Sequence, residues 1–138
     1  MEEIRFDRIE RLAHILNDLT PDQVALDEWR NHCGTTGCAL GWACLDPEFN
    51  KQGLSLSRTG APYFDNGVQD ALDDDRHLYS FTAGAAFFGL GEGNGDVLFG
   101  LRLFSEYDDD APEGIDDRDL AIYRIRRLFE DNGRELVL

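Results

Sequence analysis

The chain has 138 residues, of which 42% are hydrophobic and 11% aromatic, enough to build the core of one domain over residues 1–138 and too apolar for wholesale disorder. Its 28 acids against 13 bases leave a formal charge of −15, a sign that argues against direct nucleic-acid binding and against attachment to an anionic membrane surface. No apolar run reaches the roughly 18 residues of a membrane span, and no basic-then-apolar leader opens the chain, so neither a span nor a signal peptide is expected.

In chain order, residues 3–19 read as an amphipathic helix. Ile9, Leu12, Ala13, Leu16 and Leu19 fall at helical spacing, with Arg5, Arg8, Arg11 and Asp18 mostly on the other side. Thr20-Pro21-Asp22-Gln23 predicts a second start: Thr20 as N-cap, Pro21 in the first helical position and Gln23 closing a capping box. That short helix is expected to run to about Trp29 or His32. Thr35-Thr36-Gly37-Cys38 reads as another helix start. The apolar run 38–45 beyond it predicts a helix buried on every side, whose Ala39, Gly41 and Ala43 let neighbours approach closely. Asp46-Pro47 closes it, because proline disfavours a helical residue before it.

Residues 54–57 alternate with period two and turn residues follow at Thr59-Gly60-Ala61-Pro62 and Asn66-Gly67, so residues 54–64 hold at most a small β element. Ser80 or Thr82 can cap a helix through Phe88, which glycines in 89–95 interrupt before 96–99 resumes for a turn or two. Residues 105–117 read as an acidic loop. The last helix begins near Asp116 or Asp117 and turns Ala121, Ile122, Ile125, Leu128 and Phe129 inward. It carries Arg124, Arg126 and Arg127 late, where the helix dipole favours cations, and ends at Asn132-Gly133. These elements make a mainly α, single compact helical domain with Trp29, Cys38, Leu40, Trp42 and Phe88 in its core.

Trp29, Cys33, Gly34, Thr35, Cys38, Ala39, Gly41, Trp42 and Ala43, spaced as W-x3-C-G-T-x2-C-A-x-G-W-A, resemble a signature of an uncharacterised family of small phage, prophage and bacterial proteins. Ala86-Phe87-Phe88-Gly89-Leu90, followed by Leu98-Phe99, resembles that family's second block. The resemblance implies a mobile-element setting and brings no catalytic residues with it.

The charge is concentrated. Residues 65–119 hold 15 acids and only three bases, which accounts for −12 of the −15. Within them Asp73, Asp74, Asp75, Asp108, Asp109, Asp110, Glu113, Asp116 and Asp117 are the candidate partner-binding residues; solvated loops that keep the chain soluble are the plainer use of such runs. The expected function is a small acidic non-enzymatic binding protein, a phage- or prophage-derived inhibitor presenting an anionic surface to a basic host protein. One alternative is a thiol enzyme. A Thr35 cap would place Cys38 three residues into a helix, where the dipole favours a thiolate, with His32 the nearest base in sequence; a small buried cysteine is the commoner occupant of such a position. Another alternative is a small-ligand sequestering protein with a pocket of Trp29, Trp42, Tyr63 and Phe64.

No cofactor or metal is expected. His32, Cys33, Cys38 and Cys44 contain no Cys-x-x-Cys pair, the aspartate runs lack a calcium-loop pattern, and glycines 89–95 lack the strand and lysine of a phosphate loop. An odd count of three cysteines without secretory context predicts free thiols in a reducing cytoplasm.

Overall fold

The helical spacing of Ile9, Leu12, Ala13 and Leu16 becomes helix α1, Phe6–Asn17, with all four side chains buried. The computed structural model that places it describes residues 4–26, 38–56, 61–65, 80–90, 98–100 and 105–138. Among the described residues no side chain caps the start of α1; the Arg5 amide donates instead to the Phe88 carbonyl at 2.8 Å. Leu19 is only half-buried, and Arg8 is not on the solvent side. Its guanidinium lies 4.0 Å from the Phe87 ring centroid and donates through Nη1 to the Phe87 carbonyl at 2.6 Å. A cation is favoured there, over an aromatic face and at the carbonyl end of a helix. Its buried Nε has no hydrogen-bond partner among the described residues.

The second start is a single 3-10 turn, Pro21–Gln23. The Gln23 side-chain oxygen accepts from the Thr20 amide at 2.8 Å, the reach-back half of a capping box, and from the Thr20 hydroxyl at 3.1 Å. The helix nevertheless stops, because Val24 turns extended and is buried together with Leu26, two residues on. Period-two burial outcompetes a local helix signal at this point. The continuation to Trp29 or His32 and the Thr35 start lie outside the described residues.

Helix α2, Ala39–Ala43, is capped by Cys38 and buries Ala39, Leu40, Gly41 and Ala43. It is not buried on every side. Trp42 is half-buried, and its indole N–H donates to the Gln23 carbonyl at 2.8 Å. Helix α2 ends on Cys44, before Asp46-Pro47 is reached, and that dipeptide instead starts helix α3, Pro47–Lys51. Asp46 is extended as proline demands, and its carboxylate caps the Phe49 amide at 3.2 Å. The same carboxylate holds Arg11 through bonds of 2.7 and 3.0 Å, tying α1 to α3.

Strands β1, Leu54–Leu56, and β2, Pro62–Phe64, pair antiparallel with Leu54 opposite Phe64. Helix α4, Ser80–Phe88, packs against β2. Its Gly84 is needed for closeness: a Cβ there would meet both Leu40 methyls and the Phe99 ring at 3.0 Å. Gly89, at φ 72°, ends α4 with the Leu90 amide reaching back to the Ala85 carbonyl at 2.8 Å. Helix α5, Asp117–Asp131, begins on an Asp116 cap and buries Ala121, Ile122, Ile125, Leu128 and Phe129. It packs along α1, with the Phe6 and Phe129 rings edge to face at 5.1 Å.

Among the described residues the fold is mainly α with one two-stranded sheet. Its buried apolar side chains run from Ile9 to Leu136 in one cluster. Phe87 sits at the centre of the aromatic part, edge-on to Phe49 at 5.1 Å, Phe64 at 5.2 Å and Phe88 at 5.0 Å. Each such pair adds about 0.5–1.5 kcal/mol beyond the area it buries. Among the described residues no helix is long and apolar enough to cross a membrane.

Candidate functional site

Part of the acidic segment is helical, and residues 111–116 are the loop and turn that the sequence predicts. Ser105 caps a 3-10 helix, Glu106–Asp110, its hydroxyl accepting from the Tyr107 amide at 3.3 Å. Tyr107 and Asp108 turn inward, while Glu106, Asp109 and Asp110 stay exposed. After Ala111 the chain passes exposed Glu113 and turns at Gly114, φ 80°, into the Asp116 cap of α5.

Arg124 explains the order. It is 0% exposed, and its fork grips Asp108 twice, Nε to Oδ1 at 2.8 Å and Nη2 to Oδ2 at 2.7 Å. Nη1 donates to the carbonyls of Leu98 at 3.2 Å and Gly100 at 2.8 Å. A charge removed from water must be paired and hydrogen-bonded, and this one is. Two further ties join the turn to α5. The Tyr107 hydroxyl donates to Asp131 Oδ2 at 2.9 Å, and burial followed by the neighbouring Asp131 carboxylate pushes the phenol up to about 12. Arg127 lies 3.5 Å from Asp110 and donates to the Tyr123 hydroxyl at 2.9 Å.

The nine acids singled out in the sequence therefore divide. Asp73, Asp74 and Asp75 lie outside the described residues. Asp108 is corrected: its carboxylate is spent on Arg124 inside the protein and cannot meet a partner. Asp116 and Asp117 are half-buried; Asp116 caps the Asp119 amide at 2.8 Å, and Asp117 accepts from the Leu26 amide at 3.0 Å. Asp109, Asp110 and Glu113 remain in solvent, joined by Glu106, which the sequence reading passed over. Arg124 was also missed as an interior residue. The signal was present: position 124 falls between Ala121 and Leu128 on the apolar stripe of α5.

Cys38 sits in a different place from the one its spacing suggested. It is the N-cap of α2, with extended backbone and its sulfur accepting weakly from the Gly41 amide at 3.4 Å. The thiol is 1% exposed, and burial pushes it up to about 11, with Cys44 pushed to about 12 for the same reason. At neutral pH this is a protonated, enclosed sulfur rather than a nucleophile. Its companion His32, like Trp29, lies outside the described residues. Of the aromatic-pocket residues, Phe64 packs into the core against Phe87, Tyr63 is half-buried, and Trp42 is held to Gln23. Among the described residues no group of three His, Cys, Asp or Glu side chains is placed to hold a metal ion.

Comparison with protein-family models, with curated proteins and with solved structures gives no match to this chain.

Proposed function

We propose that this chain is a small, non-enzymatic binding protein that presents an anionic face to a basic protein partner. Its contact residues are Glu106, Asp109, Asp110 and Glu113, together with the acids of 73–75. One observation carries the reading: the acidic segment is a fixed turn with four carboxylates outward, whereas a segment serving only solubility needs no buried anchor. Charge held in a set geometry steers a partner at long range and limits which partners fit. The phage or prophage setting implied by the Cys-Gly-Thr block makes a host protein the natural target and inhibition the natural outcome.

The test begins with capture of partners from a native host lysate, followed by association kinetics on any purified partner at several salt concentrations. Association is expected to slow as salt shortens the field to about 8 Å. The triple variant Asp109→Asn, Asp110→Asn, Glu113→Gln should lower the association rate more than it raises dissociation. Salt-independent association, or full affinity in the triple variant, would sink the proposal.

A further inference from the structure

We propose that the Arg124–Asp108 pair is a register lock: it selects which aspartate of the 108–110 triplet goes inside, and thereby fixes which carboxylates point outward, while adding little to net stability. Taking both charges out of water costs about as much as their attraction returns, so a pair this deeply buried is weak evidence of stabilisation. Its side chains are 0% and 2% exposed. Position 124 lies among Leu120, Ala121, Ile125 and Leu128, where an apolar side chain would find apolar neighbours, at the cost of the Nη1 donor to the Leu98 and Gly100 carbonyls.

Geometry is what the charged pair contributes. Asp108, Asp109 and Asp110 are chemically equivalent and adjacent, so a slip of one residue would bring another carboxylate to the same guanidinium. The fork accepts only one of them while Nη1 holds the Leu98 and Gly100 carbonyls. The Ser105 cap and the Tyr107–Asp131 bond, both just before Asp108 in the chain, agree with Asp108 in that place. A single buried polar group that fixes register at little gain in stability is a known use of such pairs. The lock itself stands apart from the binding reading; only its consequence for a partner rests on that reading.

The experiment is hydrogen exchange and NMR on the double variant Arg124→Met, Asp108→Leu, which removes both charges at similar volume, compared with the parent chain. The double variant should unfold cooperatively near the parent's melting temperature. Exchange of amides 106–111 should rise by about 100-fold or more while buried amides of α5 keep their protection, and residues 106–111 should give more than one set of resonances. Unchanged exchange and a single set of resonances would show that the other ties suffice and would overturn the proposal. A double variant that fails to fold would overturn it too, since Arg124, through Asp108 and the Leu98 and Gly100 carbonyls together, would then be a net stabiliser of the core. Both readouts use the protein alone, so a partner never found would sink the anionic-face reading and leave this one standing.

Discussion

Asp108 and Asp109 are neighbours of identical chemistry, yet the first is 8% exposed against Arg124 and the second stands in solvent, as does Asp110 beside Arg127 at 3.5 Å. Removing one partner of a buried pair strands the other charge. Asp108→Asn is therefore expected to cost about 3–5 kcal/mol, against no more than about 0.5 kcal/mol for Asp109→Asn or Asp110→Asn. Urea unfolding of the three single variants measures this, and equal effects would contradict the burial of Asp108. Nothing in a run of three aspartates tells them apart; the distinction comes from an arginine one helix away. The thiols make a second case at this scale. Cys38 at about 11, Cys44 at about 12 and Tyr107 at about 12 all lie above their ordinary values of 9 and 10. The folded state holds these protons more tightly than the unfolded chain, so their contribution is whole below pH 9 and is lost as pH rises toward 11–12. Melting temperature should fall across that window, and less steeply in a Cys38→Ala, Cys44→Ala variant. Melts at half-unit steps check it, with an identical slope in the variant as the contrary result.

At the level of elements, local signals were legible where one residue had one job. The last helix was readable because an aspartate cap, an apolar stripe and an Asn-Gly stop all agreed, and Gly133 takes the positive φ of 70° that such a stop requires. Helix α3 was not, because Pro47 read as a terminator and its role as a first helical residue needed the Asp46 cap to be seen. The helical part of the acidic segment was missed because low hydrophobicity is silent about a buried partner. Asp46 carries two duties at once, capping Phe49 and holding Arg11, and those bonds keep its carboxyl below the usual carboxylate range. Asp46→Ala should then cost about 1–2 kcal/mol, the magnitude of a lost N-cap. In the parent chain this stabilisation is present above about pH 4 and fades below it as Asp46 takes up its proton. Comparing acid unfolding of the two chains reads both statements; a variant that loses nothing at pH 7 would contradict the capping role.

Across the whole molecule, total charge was countable from the sequence, but the direction in which each carboxylate points was not. Three acids of the candidate set are engaged within the fold, on Arg124, the Asp119 amide and the Leu26 amide, so fewer carboxylates are free to meet a partner than the residue count suggests. A net charge of −15 still repels itself in the compact state. Raising salt from about 10 mM, where the screening length is about 30 Å, to physiological strength should therefore raise the melting temperature. The Asp109→Asn, Asp110→Asn, Glu113→Gln variant should show a smaller rise. A scanning melt in sodium chloride tests this, and a flat or falling response in the parent chain would mean that local ion pairs outweigh global repulsion.

The edge-to-face rings around Phe87 also set a clock. A phenylalanine ring can turn over only when its neighbours withdraw, and Phe87 touches Phe49, Phe64 and Phe88 while Arg8 covers one of its faces. Its half-turn consequently requires α3, β2 and α1 to give way together, in a core packed about as densely as an organic crystal. Slow exchange between the two edges of the Phe87 ring, seen as separate aromatic resonances that merge on warming, would report how often those three elements part. The ring at the centre of the core is thus a built-in gauge of its breathing, and Arg8→Met, by lifting the cation from its face, should make it tick faster.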